Sequence, residues 1–161
     1  MKIAIISDIH DNEVRLREAL EICKTKSIED CICCGDVQHF ETLEMITDSF
    51  NKVYLAFGNG DYGISRNTGL IPENVEWNEK IQEISLANLK IAIVHYDHIA
   101  KKLANSDKYD VVFYGHTHTP WEKKVGNTIL INPGEVAGQF GKASFAIFDT
   151  KSQKAQLFLL K

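Results

Sequence analysis

The chain has 161 residues, 44% hydrophobic and 25% charged, with a formal net charge of −4 and only isolated basic pairs such as Lys101-Lys102 and Lys123-Lys124. This length and apolar content fit a single domain, 1–161, with a sizeable core, and the acidic balance argues against extended nucleic-acid binding. No apolar run is long enough for a signal segment or a membrane span, so a cytoplasmic protein without membrane contact is expected.

Lys2 to Ser7 reads as a buried strand, because Ile3, Ala4, Ile5 and Ile6 form a continuous apolar run. It breaks off into Asp8-Ile9-His10, where side chains two residues apart can project to one side just past the strand's carboxyl end. Helix capping by Asp8 or Asp11, with His10 as a turn residue, is an open alternative for this fragment alone. A helix follows, capped by Asp11 or Asn12, with Leu16, Ala19, Leu20 and Cys23 on its apolar face. Strand two, Cys31 to Gly35, delivers Gly35-Asp36. Leu43, Ile46 and Phe50 mark a second helix, and Lys52 to Phe57 form a third strand ending in Gly58-Asn59-Gly60-Asp61. Such β-α-β-α-β alternation predicts parallel strands with right-handed crossovers, which places Asp8, Asp36 and Asn59 along one sheet edge.

Tyr62 to Asn78, carrying Gly63, Gly69 and Pro72, reads as a loop near that edge. Lys80 to Leu86 and Leu89 to His95 then form a hairpin turning at Ala87-Asn88. A short helix bearing Ile99 and Leu103 leads to a strand, Val111 to Tyr114, which ends in Gly115-His116-Thr117-His118. Trp121 to Val125 and Thr128 to Asn132 pair about Gly126-Asn127, and Ala143 to Thr150 and Ala155 to Leu160 close the chain. The last of these is an edge through which copies could pair into a homo-oligomer.

Cys23, Cys31, Cys33 and Cys34 match neither a zinc-finger pair nor a redox C-x-x-C opening a helix, so they are expected as free, buried residues. The polar residues at strand ends are more telling. Asp8, His10, Asp36, Asn59, His95, His116 and His118 supply carboxylate, amide and imidazole donors suited to transition metals. Individually a lone histidine or a Gly-Asp turn is unremarkable, but seven at successive strand ends point to a metal centre.

These residues resemble the calcineurin-like metallophosphoesterases, whose pattern runs D-x-H, G-D, G-N-H-[D/E], a histidine after a strand, then G-H-x-H. The compact size is similar to the small YfcE-type phosphodiesterase branch. The resemblance implies an α/β fold, a four-layer αββα sandwich of two mixed β-sheets flanked by helices. It also implies a hydrolase, a binuclear-metal-dependent phosphoesterase that cleaves small phosphodiesters through a metal-bridging hydroxide. One ion would be held by Asp8, His10, Asp36 and His118, the other by Asp36, Asn59, His95 and His116, with Asp36 bridging. Asp36, Asn59 and His116 would then be catalytic. Two divalent transition-metal ions are implied, manganese first, with Fe, Zn, Co or Ni also suited to the ligands. The partner would be a small phosphodiester or nucleotide-like substrate.

Three positions depart from the family pattern. Gly60 stands where many relatives carry a histidine that helps the leaving group, so activated aryl diesters are expected to be cleaved more readily than alkyl ones. Gly60, Asp61 and His98 are candidate substrate-binding residues. His98, His39 and Asp61 are the candidate replacements for the acid, each read more simply as a surface or turn residue. Asp11 and Tyr96 occupy places where glycine is common. The alternative is a non-catalytic protein-binding scaffold, like the retromer subunit of the same fold, against which the retention of every site histidine weighs.

Overall fold

A computed structural model describes all 161 residues. Eleven strands form two mixed sheets. In the first sheet, β1 (Lys2–Ile6), β2 (Asp30–Cys33), β3 (Lys52–Ala56) and β4 (Val75–Asn78) run parallel, and β10 (Ser144–Asp149) and β11 (Lys154–Leu159) extend it antiparallel, in the order β11-β10-β1-β2-β3-β4. The second sheet takes β5 (Ile81–Leu86), β6 (Leu89–Val94), β7 (Val111–Phe113), β8 (Trp121–Val125) and β9 (Thr128–Asn132) in the order β5-β6-β7-β9-β8.

Side-chain alternation along β1 divides the interior into layers. Ala4 and Ile6 face a core shared with α1 (Glu13–Thr25) and α2 (Phe40–Thr47), where Leu16, Ala19, Leu43 and Ile46 pack over Cys31, Cys33, Val53 and Leu55. Ile3 and Ile5 point the other way, into the seam between the sheets, against Ile91, Ile93, Phe113 and Phe148. On the far face of the second sheet, Ala92, Val94, Val112 and Leu130 are covered by Ala100 and Ala104 of α4 (Asp97–Ala104). The result is the expected αββα sandwich. Each fully buried Ile or Phe of these layers contributes about 1.5–3 kcal/mol of transfer free energy.

The reading of Tyr62 to Asn78 as a loop is corrected. It holds a short helix, α3 (Tyr62–Ser65), a 3-10 turn at Thr68–Leu70 and β4, which pairs in register with β3, Val53 opposite Val75. Phe50 also falls beyond α2, buried under it rather than within it. Asn12 caps α1, its Oδ1 accepting from the Arg15 N–H at 3.2 Å. All four cysteines are free and buried, and burial pushes the Cys23 thiol up to about 12 and the others higher still. No helix is long and apolar enough to cross a membrane.

Candidate metal centre

The parallel strands and β7 end at the edge where the loops carrying the polar motifs meet. These loops are laced together by backbone bonds. The Asp8 N–H donates to the Gly35 carbonyl, the Ile9 and His10 N–H groups both donate to the Asp36 carbonyl, and the Gly115 N–H donates to the His95 carbonyl, all at 3.0 Å. Asp8, His10, Asp11, Asp36, His116 and His118 all adopt left-handed backbone, with φ between 46° and 66°. For side-chain-bearing residues this conformation is strained, and clusters of it mark functional sites.

All seven predicted residues converge. Asp36 Oδ2 lies 3.6 Å from His10 Nε2 and 3.5 Å from His95 Nε2. On one side of it, Asp8 Oδ1 is 3.4 Å from His118 Nε2 and 3.9 Å from His10 Nε2, and the His10 and His118 rings stack with centroids 5.2 Å apart. On the other side, His95 Nε2 faces Asn59 Oδ1 and His116 Nδ1, each at 3.2 Å. Donor atoms that share one metal ion at about 2.0–2.2 Å stand roughly 3–3.5 Å apart, the range of most of these separations.

The donors fit cations better than they fit one another. Asp8 and Asp36 are buried with no lysine or arginine paired to either. Burial raises the Asp8 pKa against the lowering effect of the Ser7 hydroxyl and the neighbouring histidines. His10 Nε2 is the one buried side-chain polar atom without a hydrogen-bond partner, and it faces both carboxylates. Asp8, His10 and His118, and likewise Asp8, Asp36 and His95, bring their donor atoms within 4.8 Å of one another.

A second set of residues aims the first. Ser7 Oγ donates to Asp8 Oδ2 at 2.7 Å. His95 Nδ1–H donates to the Cys34 carbonyl at 2.8 Å, which in the neutral imidazole puts the lone pair on Nε2, toward Asp36. His118 Nδ1–H donates to Glu135 Oε2 at 2.8 Å, with the same effect on its Nε2. Gln38 Nε2 donates to His10 Nδ1 at 2.8 Å and so fixes the orientation of that ring. Glu135 and Gln38 escape sequence reasoning, although Asn132-Pro133-Gly134-Glu135 at the end of β9 repeats the motif of a strand ending in glycine and an acid. Although burial works to raise it, the Glu135 carboxyl is held below its usual range by His118 and by the N–H groups of Phe140, Gln139 and Gly141.

The substrate-facing expectation for Asp61 is corrected. It is 1% exposed, and its two oxygens accept from the N–H groups of Asp36, Val37, Gln38 and Gly58 at 2.6–2.9 Å, which ties the β2 loop to the β3 loop. Burial nevertheless raises its pKa, the backbone bonds opposing. His39 is an exposed residue paired with Asp11, which also accepts from Thr42 Oγ1 at 2.8 Å. His98 is exposed in the first turn of α4, its ring 5.6 Å from that of Tyr96, which in turn packs edge-on to His116 at 4.9 Å. The Gly60 N–H donates to Asp36 Oδ1 at 2.6 Å. At Gly58 a Cβ would lie 2.7 Å from the Asp36 nitrogen and 2.8 Å from His95 Nδ1, so only glycine lets the β3 loop approach this closely.

Residues 1–153 match the model of the calcineurin-like phosphoesterase superfamily domain. The chain belongs to that superfamily. Phosphodiesterase MJ0936 of Methanocaldococcus jannaschii is 30% identical over the whole of both chains. Phosphodiesterase YfcE of Escherichia coli K12 is 25% identical, covering 92% of this chain and 88% of its own length. A solved archaeal phosphodiesterase superposes with a TM-score of 0.90 at 29% identity, over 99% of this chain and all of the other. These likenesses agree with the calcineurin-like pattern read from the sequence and with the sandwich fold. As a superfamily member, the chain carries its Asp and His cluster at the sheet edge, where such a centre can bind metal.

Proposed function

We propose that this chain is a two-metal phosphodiesterase acting on small phosphodiesters. The observation that carries this reading is Asp36, whose single Oδ2 stands 3.6 Å and 3.5 Å from the imidazole nitrogens of two separate donor groups. A shared carboxylate of this kind suits two cations about 3.5–4 Å apart. Asp8, His10 and His118 complete one group, and Asn59, His95 and His116 the other. The relatives named as phosphodiesterases support the substrate class.

Divalent cations bound there lower the pKa of water and neutralise phosphoryl charge. The chain's own residues position the reaction. Asp36 and Asp8 offset the cations' charge, and Asn59 offers Oδ1 inward while its Nδ2 hydrogens are available to a phosphoryl oxygen. His116, exposed beside Tyr96, faces the same opening. Gly60 offers no proton to a leaving group, which supports a preference for diesters whose leaving group departs as a stable anion, aryl over alkyl.

Hydrolysis of bis(p-nitrophenyl) phosphate by the purified protein tests the reading. Turnover is expected to vanish with a chelator and to return with Mn²⁺. Protein that is fully metallated, by elemental analysis, and still inert toward every diester would instead leave a protein-binding scaffold on this fold.

A further inference from the structure

One carboxylate fixes both a candidate metal ligand and the loop beside it. Glu135, fully buried, accepts His118 Nδ1–H on Oε2, and its two oxygens also accept the N–H groups of Gln139, Phe140 and Gly141 at 2.5–2.8 Å. The loop is thus held rigidly at the height of the metal centre. Its one large side chain is nevertheless left outside, for Phe140 is 81% exposed, the highest value of any large hydrophobic residue in the chain. The Phe140 ring stands edge-on to the His118 ring, centroids 4.8 Å apart at 82°.

A singly exposed phenylalanine is ordinary on a protein surface. This one is distinguished by where it is held. The carboxylate that orients His118 also holds the backbone of Phe140, so the ring projects from a fixed point beside His118. An aromatic face positioned this way loses little conformational freedom when a flat group stacks on it.

We infer that Phe140 is a specificity-determining platform, which stacks against a ring carried by the ester arm that stays on phosphorus after cleavage, while the phosphoryl group lies over the cluster. This rests on the phosphodiesterase reading and narrows it to diesters bearing an aryl group or a nucleobase. A second ring, Tyr96, lies 4.9 Å from His116, so each half of the cluster has an aromatic neighbour.

The test compares wild type, Phe140→Leu and Phe140→Tyr on three esters sharing one leaving group: methyl p-nitrophenyl phosphate, bis(p-nitrophenyl) phosphate and thymidine 5′-(p-nitrophenyl phosphate). Phe140→Leu is expected to raise KM about three- to tenfold for the two esters with a ring on the retained arm. It should leave the methyl ester and every kcat within about twofold, and Phe140→Tyr should behave as wild type. Calorimetry with phenylphosphonate and methylphosphonate gives a readout free of turnover. Wild type should favour the phenyl compound by a similar factor, and Phe140→Leu should lose the preference. Equal changes for all three esters, no change for any, or no phenyl preference in wild type would overturn the platform. So would a change in oligomeric state in Phe140→Leu with unaltered KM, which would make the ring an interface residue. Absence of turnover on every ester, with the phenyl preference intact, would instead remove the phosphodiesterase reading alone.

Discussion

Around Asp36 the cluster divides into two unlike halves. Asp8, His10 and His118 are buried or nearly so, and each is gripped from behind by a further side chain, Ser7, Gln38 or Glu135. In the other half only His95 is buried and anchored, by the Cys34 carbonyl, whereas Asn59 and His116 stand exposed. A donor set held from behind presents preformed geometry and binds its ion tightly, while an exposed set leaves coordination positions for solvent or substrate. On the two-metal reading proposed above, the first half would retain its ion and the second would meet the phosphoryl group.

The joint between the halves is the most sensitive point. Asp36→Asn is expected to lower kcat on an aryl diester by on the order of 10³-fold or more, since it removes the one charge both groups share. Undiminished turnover would break the bridge and the comparison with it. Glu135→Gln reaches only the gripped half. It should weaken one of two ions by about 10- to 100-fold in a metal titration while the other is little changed, and equal weakening of both would show that the halves are not separable. Gly60→His probes the open half, restoring an imidazole beside Asn59. A Cβ there has 3.1 Å to Asp36 Oδ1 and to Gln38 Cγ, tight but without left-handed strain, so the variant is expected to fold. The rate ratio of aryl to alkyl diesters should fall about tenfold, within the range of general-acid assistance; an unchanged ratio would mean the open half lacks no acid.

Asp61 belongs to neither half, and its effect is expected to be the smallest on chemistry. Asp61→Asn exchanges one accepting oxygen for a donor that faces backbone N–H groups, which costs about 1–3 kcal/mol. Thermal unfolding should show this as a fall in Tm of roughly 3–10 °C, with the metal-loaded enzyme's KM near that of wild type. A large rise in KM with unchanged Tm would return Asp61 to the substrate.

What could be read in the sequence follows the range of the interactions concerned. The βαβ order of the first half was legible because continuous apolar runs such as Ile3 to Ile6 and the helical spacing of Leu16, Ala19 and Cys23 are local signals, whereas the four-layer sandwich came only with the family resemblance. The donors were legible because each sits immediately after a strand, often beside glycine. Gln38 and Glu135 were not, because their roles depend on facing His10 and His118 across 28 and 17 residues of chain. Asp61 was misread for the same reason, a turn residue by its neighbours but a clamp by partners 23 to 25 residues upstream. The strand Val75–Asn78 was hidden by its brevity and by Gly63, Gly69 and Pro72 before it. Only pairing with β3 gives its four residues extended form.

The left-handed turns at His10, Asp36, His116 and His118 bear on how this protein could be engineered. Each holds a side chain in a conformation that costs on the order of 1 kcal/mol or more relative to glycine. A search for heat-resistant variants scored by folding alone would therefore drift toward glycine at the residues proposed to bind metal, gaining robustness while emptying the centre. Selection for thermal tolerance in this chain has to be run with the cations present, so that binding energy offsets the relief of backbone strain.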